Sequence, residues 1–466
     1  MKRKVYFGVI SLAILFSLNF VFSTETAQAQ TKKQIQNGQK LWEQGENLHR
    51  QKKFIMAIQK FDEAIKVLSP FPYPSAYFSR GWSRYLLGQY NEAIADFTVS
   101  LNQKQPPLQV YKIRCLAYYQ LKDYDSALKD VEEVLKVDTS DANLYLVAGD
   151  IYRMKNNDKD ALAAYMKAAE FQPNNADLQY FIAVLHSKSG DFEQQGVAAL
   201  NAVQKGTKYQ GEAWTLLGDS LQRSKKYPEA VEAYERALAA KPTIIEVYSA
   251  LSQLYQRLNR FNDAIATAQK GLKINPEDGI LYIGLSWYYS LTEKNQEAIA
   301  AARQAVRILP KEPMGYTNLC RAYKDIKQYD LAIQTCNSAL NLNPGDGETF
   351  LYLGQIFDFQ KKTDAATGFY KKAVAGLIEF TKNAPDDADG FYLLGTAYYL
   401  NGQIPNAITA YKKCLSLHPQ FARVIYNLGY MYVLSNDKAS ARVQYNELLG
   451  LNPDFAARLL QKIQEN

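Results

Sequence analysis

The chain has 466 residues, 47% hydrophobic, 22% charged and 13% aromatic, with 25 Gly, 16 Pro, 4 Cys, 34 Tyr and a formal net charge of +7. So few glycines, prolines and cysteines exclude a collagen-like, low-complexity or disulfide-scaffold chain. A single hydrophobic core stops growing at roughly 250–300 residues, so this length demands several domains or an array of small units, each packing on its neighbours.

The N-terminus comes first. Lys2, Arg3 and Lys4 precede an apolar run from Val5 to Phe22, broken only by Gly8, Ser11, Ser17 and Asn19, and Ala27-Gln28-Ala29 supplies a small-x-small cleavage pattern. This reads as a secretory signal peptide over residues 1–29, with Gln30 as the mature start and residues 30–37 as a short linker. An uncleaved anchor is the alternative, because about 18 apolar residues is near the lower limit for crossing a bilayer. The first cysteine is Cys115, so a lipid-anchored lipoprotein is not expected, and no later run is apolar enough to span a membrane. Cleavage removes Lys2, Arg3, Lys4 and Glu25, which lowers the charge from +7 to +5. Basic and acidic residues are mixed along the rest, whereas a nucleic-acid binder needs Lys and Arg gathered on one face; no nucleic-acid partner is expected.

Self-similarity decides the fold. Trp214-Thr-Leu-Leu-Gly218-Asp-Ser-Leu221 matches Phe391-Tyr-Leu-Leu-Gly395-Thr-Ala-Tyr398, and Tyr227-Pro-Glu-Ala230 matches Tyr90-Asn-Glu-Ala93. Units start at Gly38, Pro74, Leu108, Ala142, Ala176, Gly211, Ile245, Gly279, Pro313, Gly347, Ala388 and Ala422, mostly 34 residues apart. Each unit reads as two helices: apolar residues recur at helical spacing in the first, as in Tyr316, Leu319, Cys320 and Tyr323, and small residues do so in the second, as in Ala298 to Ala305. Leu87-Gly88-Gln89 and Ser189-Gly190-Asp191 mark turns between the two. Pro closes the units at 173, 242, 276, 310, 344, 419 and 453, since it lacks the N–H a continuing helix needs. The eighth residue is always small (Gly45, Gly81, Cys115, Gly149, Ala183, Gly218, Ser252, Ser286, Cys320, Gly354, Gly395, Gly429), and the twentieth is Ala in eleven of twelve units. Gly inside a helix costs about 1 kcal/mol relative to Ala, so its recurrence calls for close approach of the paired helices.

In these positions (aromatic, Leu-Gly, Tyr, then Ala, Phe or Tyr, Ala, Pro) the chain resembles the tetratricopeptide repeat (TPR) family over residues 38–453. The resemblance implies an all-α solenoid, a right-handed superhelix of about twelve helix-turn-helix repeats. Its concave groove would be lined by the first helix of each repeat. Residues 454–466 then read as a C-terminal cap helix, with Phe455, Leu459, Leu460 and Ile463 on one face. Two units depart from the pattern. The fifth has Gln195 in place of Ala and Thr207 in place of Pro, which leaves its second helix uncertain and makes it a candidate bend. The second helix of the tenth is lengthened by seven residues between Tyr370 and Pro385.

Little suggests catalysis. His49, His186 and His418 lie in distant units, and repeats that touch only their neighbours would keep them apart. No metalloprotease, phosphate-loop, nucleophile-elbow or C-x-x-C motif occurs. No enzyme activity, cofactor or metal site is expected. Cys320 and Cys336 occupy facing positions of one repeat, a candidate disulfide in an exported protein, with two small buried thiols as the alternative.

By the family register, positions 2, 5, 6, 9, 12 and 13 of each first helix face the groove. They include Phe78, Trp82 and Tyr85 near the start, Trp287 in the middle, and Tyr392, Tyr399, Tyr426 and Tyr430 near the end. Asn318, Arg321, Lys324 and Asn427 offer polar contacts to a bound peptide. Tyr and Trp are favoured anchors for protein partners. Packing on the adjacent repeat is the competing fate of each. No three successive repeats match the Lys/Asn/Asn/Lys/Arg clamp that some family members use on C-terminal carboxylates. The expectation is a non-enzymatic scaffold, exported to the periplasm or beyond the cell, that binds a peptide segment or amphipathic helix of another protein. The alternative is an accessory glycan- or peptidoglycan-binding module for envelope polysaccharide assembly, and self-association is a third reading.

Overall fold

The computed structural model describes residues 25–69 and 71–465. Most of the expected signal segment lies outside them. The described residues form helices and connecting turns, grouped into two units split after Asn174. The first contains α1 (Glu25–Arg50), α2 (Phe54–Leu68), α3 (Pro74–Leu86), α4 (Tyr90–Asn102), α5 (Pro107–Gln120), α6 (Tyr124–Leu135), α7 (Ala142–Met154) and α8 (Asp158–Phe171). The second begins with α9 (Ala176–Ser189), α10 (Phe192–Gln204), α11 (Gln210–Arg223), α12 (Tyr227–Ala240), α13 (Ile245–Arg257), α14 (Phe261–Ile274), α15 (Gly279–Leu291) and α16 (Asn295–Ile308). It continues with α17 (Pro313–Asp325), α18 (Tyr329–Leu342), α19 (Gly347–Phe359), α20 (Thr363–Asn383), α21 (Ala388–Leu400), α22 (Ile404–Leu417), α23 (Ala422–Leu434), α24 (Lys438–Leu451) and α25 (Pro453–Glu465). Each unit is an α-solenoid of paired helices.

Local chemistry sets the helix ends. Asp141, Asn175, Asp278, Asp346 and Asp387 stand immediately before first helices and accept hydrogen bonds from backbone N–H groups of the opening turn, which satisfies donors the helix cannot. The turn inside every repeat places its fifteenth residue in the left-handed region. It is glycine at Gly88, Gly190 and Gly402, and elsewhere a residue such as Asn259, Glu293 or Lys327. The following N–H reaches back five residues, as from Arg260 N to Tyr255 O at 2.8 Å and from Gln328 N to Tyr323 O at 2.9 Å. This is a Schellman closure, which caps the carbonyls at the end of the first helix.

The small eighth position has a partner at the twenty-fourth. A Cβ added to Gly45, Gly149, Gly218, Gly354 or Gly395 would lie 2.5 or 2.6 Å from the ring of Phe61, Tyr165, Tyr234, Tyr370 or Tyr411. Where the eighth residue is larger, as at Ala183, Ser252 and Ser286, the twenty-fourth is Ala199, Ala268 or Ala302. A large ring is thus accommodated at one position only where the other has no side chain. In one repeat it is Cys320 and Cys336, which are joined by a disulfide with Cα atoms 5.2 Å apart. Cys115 and Cys414 are buried free thiols.

Some expectations meet a different outcome. Residues 30–37 are helical within α1, where Gln34 Nε2 donates to Val67 O at 2.7 Å. The second helix of the fifth repeat is formed as α10. Gln195 sits fully buried in the alanine slot, its Nε2 donating to Leu216 O at 2.7 Å, and Thr207 Oγ1 donates to Asp177 Oδ1 at 2.8 Å where proline closes other repeats. The α20 helix has 21 residues against 14 in α22. At the end, α25 buries Ala456, Leu459 and Ile463, and Phe455 stacks on Tyr426.

Candidate functional site

In the second unit, residues at groove positions of first helices converge on one inner face. On α17, Arg321 stacks its guanidinium over the Trp287 ring of α15, 3.8 Å from its centroid. One turn on, Lys324 Nζ lies 3.1 Å from Asp325 Oδ1, donates to Gln355 Oε1 at 2.8 Å and stands 4.9 Å from the Tyr352 ring centroid. Tyr352 donates to Glu348 Oε1 at 2.6 Å. Burial pushes the Glu348 carboxyl up to about 7 and lowers Lys324, since each would be charged away from water.

The inner face is crossed by contacts between repeats far apart in sequence. Gln256 Nε2 on α13 donates to Asp389 Oδ2 on α21 at 3.0 Å, and Asn259 Nδ2 donates to Gln420 O at 2.9 Å. Lys225 Nζ stands 3.7 Å from Asp386 Oδ1. The expectation that repeats touch only their neighbours is thereby corrected: within this unit the stack curls until α13 meets α21. Asp389, half-buried at that crossing, has its carboxyl raised above the ordinary value by loss of solvation.

Beside the crossing lies a cavity of about 660 Å³ lined by Phe192, Asp219, Gln222, Arg223, Lys225, Tyr227, Arg257, Asp386 and Leu417, among others. Its two arginines lie on aromatic faces. Arg223 sits 3.9 Å from the Phe192 ring centroid, and Arg257 sits 5.0 Å from that of Tyr227 while donating to the Tyr227 hydroxyl at 2.6 Å. Asp219 accepts the Tyr234 hydroxyl at 2.6 Å, and burial raises its carboxyl. The cavity thus joins flat apolar surface to guanidinium donors, a combination suited to a polypeptide partner.

The other expected groove residues are distributed differently. In the first unit Phe78, Trp82 and Tyr85 are half-buried against the Phe97 core, with Trp82 and Tyr85 stacked at 5.4 Å. Near the C-terminus Tyr392 leans on Phe421 and Tyr399 on Tyr430, while Tyr426 packs on Phe455 of the terminal helix α25. Asn318 is only 3% exposed, and its amide donates to Ile283 O at 3.1 Å and Ser286 Oγ at 2.8 Å. That spends on the preceding repeat the donor expected for a bound peptide. Asn427 Nδ2 points similarly to the Tyr411 hydroxyl, at 3.4 Å. Sequence reasoning passed over Arg223, Gln256 and Arg257, although they occupy groove positions 12 and 13, because no local pattern sets them apart from the ordinary polar residues of a helix face; Asp386 lies in a turn and gave no signal. Among the described residues no group of three or more His, Cys, Asp or Glu is placed to hold a metal ion, and no helix is long and apolar enough to cross a membrane.

The comparisons agree on the repeat. Models described as tetratricopeptide or TPR repeats match residues 115–176, 209–277, 249–313, 315–346, 395–436 and 422–455, together more than half the chain. The BBSome complex member BBS4 of Bos taurus is 26% identical over 112 residues, 24% of this chain and 21% of that protein. The TPR repeat-containing protein MJ1428 of Methanocaldococcus jannaschii is 28% identical over 148 residues, 30% of this chain and 26% of that one. The chain thus spans about a quarter of the length of these curated relatives. The structure of yeast Tom70 is 17% identical, with 92% of this chain and 94% of that chain covered at a TM-score of 0.42. The chain belongs to the tetratricopeptide repeat family.

Proposed function

We propose that this protein is an exported, non-enzymatic scaffold that holds an extended segment of another protein along the inner face of its second unit. The observation that carries the reading is the cavity at the α13–α21 crossing, where Arg223 and Arg257 lie over Phe192 and Tyr227 beside open space. A bound segment would bury apolar side chains on the rings and satisfy the guanidinium donors, and several such contacts along one face would act together. Export rests on the basic start, the apolar run from Val5 to Phe22 and the Ala27-Gln28-Ala29 pattern. The Cys320–Cys336 disulfide supports it, because such bonds persist in oxidising compartments.

The test is capture from cell-envelope extract by the wild type and by the triple variant Phe192→Ala, Tyr227→Ala, Arg257→Ala, with circular dichroism to establish equal helicity. Defined proteins retained by the wild type and lost by the folded variant are expected. Identical catches would remove the inner face as the site, and a response to soluble glycans alone would replace protein with polysaccharide as the ligand. N-terminal sequencing of the protein from the envelope fraction should begin at Gln30; recovery of intact protein in the cytoplasm would overturn export.

A further inference from the structure

The inner face of the second unit is crossed by polar ties. Gln256 on α13, in the seventh repeat, donates to Asp389 on α21, in the eleventh, at 3.0 Å; Asn259, just past α13, donates to Gln420 O, in the turn before α23, at 2.9 Å. Lys225, before α12, stands 3.7 Å from Asp386, before α21, with side chains 61% and 76% exposed. Among the described residues, the buried apolar cluster of α12–α16 and those of α19–α23 have no residue in common. By contrast, α13 joins its neighbours in sequence through Tyr248, Leu251 and Tyr255, all buried in the first of these clusters.

Hydrogen bonds and exposed ion pairs exchange for water at little net cost, whereas separating buried apolar faces is expensive. The crossing therefore parts more easily than the helix pairs it joins. The lengthened helix leads to the same place: α20 has 21 residues against 14 in α22, about 10 Å of added helix, and the turn at its end carries Asp386 and runs into Asp389. The cavity beside the crossing takes its lining from both sides, Arg223 and Tyr227 from one and Asp386 and Leu417 from the other. We propose that the crossing is a latch: it shuts the seventh to eleventh repeats into a loop, and its release opens the inner face of this unit without unpacking a repeat. The latch rests on these ties and not on what the inner face binds.

The experiment measures the distance across the crossing in the full chain by pulsed electron paramagnetic resonance. Nitroxide labels go on Asn262→Cys and Ser416→Cys, both exposed positions, with Cys115→Ala and Cys414→Ala removing the free thiols. This parent is expected to give one narrow distance. Gln256→Ala with Asn259→Gly removes both hydrogen bonds, and glycine keeps the left-handed backbone of residue 259, at φ 58°. The mean distance should then lengthen by more than about 5 Å, the pitch of one helical turn, with circular dichroism unchanged. Asp386→Lys sets like charges opposite each other at an exposed site and should lengthen it too; adding Lys225→Asp should restore the parent distance. Lengthening in either folded variant upholds the latch. Equal distances in the parent and both variants, with helicity intact, overturn it, and so does a parent distribution that is already broad. Should the first variant lose helicity, Asp386→Lys and its charge swap decide alone, an unchanged distance overturning the latch.

Discussion

The ring of Tyr411 lies where a side chain on Gly395 would begin: a Cβ there would meet Tyr411 Cε1 at 2.5 Å and Cδ1 at 2.6 Å. Tyr411 is only 1% exposed, so the ring has nowhere to retreat. Gly395→Ala gains helix propensity of about 1 kcal/mol but overpacks the helix pair at a typical cost of about 1–3 kcal/mol. The expected net result is a lower urea midpoint by circular dichroism. Gly368→Ala on α20, whose Cβ would meet nothing within 4 Å, should raise it.

The repeat turns give a complementary test. Gly402 has φ 75° and open space around the missing Cβ, so Gly402→Ala should destabilise through the backbone alone, by about 1 kcal/mol. Glu293 holds the equivalent position at φ 59°. Glu293→Gly should be neutral or slightly stabilising, because relief in the folded turn is offset by greater freedom of the unfolded chain. Thermal unfolding of the two variants decides it; equal losses would show that the turn does not require the left-handed backbone.

Cys320 and Cys336 are 16 residues apart, and closing a loop of that size stabilises by about 3 kcal/mol in the chain-entropy account. Reductant should lower the unfolding temperature of the wild type and leave Cys320→Ser/Cys336→Ser unaffected. Thiol titration without reductant should find no reactive cysteine in the native protein and two after denaturation, Cys115 and Cys414, both buried in the fold.

Two half-buried groups shape the pH dependence in opposite senses. Burial, aided by the Arg257 charge, lowers His418 from 6.5 to about 4, so the unfolded chain binds the extra proton in that interval. Its contribution is complete above pH 6.5 and is lost as pH falls towards 4, on the order of 3 kcal/mol at full titration. Glu348 is raised from 4.5 to about 7; its contribution is complete below 4.5 and is lost as pH rises through 7. His418→Gln should therefore flatten the acid limb of a stability–pH curve, and Glu348→Gln the limb around neutrality. A curve unchanged by either substitution would reject these assignments.

Repeat period, helix pairing and the small eighth position were all legible in the sequence because they depend on residues close together within one unit. A glycine eight residues in and alanines at helical spacing state their packing requirement locally. The Cys320–Cys336 pairing was open to the same reasoning, since both residues lie in one helix pair. The candidate site was less legible. Trp287, Arg321 and Lys324 were found by register, but Asn318 shares that register and turns its amide into the preceding repeat.

The amino-acid sequence alone determined the repeat architecture, since every contact that defines a unit is made within about forty residues. Only the tertiary structure decided that Gln256 meets Asp389 and Asn259 meets Gln420, which are 133 and 161 residues apart. The physical reason is accumulation. Each repeat adds a small rotation set by the packing of its helices on the next. The sum, which brings α13 to α21 and lays Arg321 over Trp287, is written in no single unit.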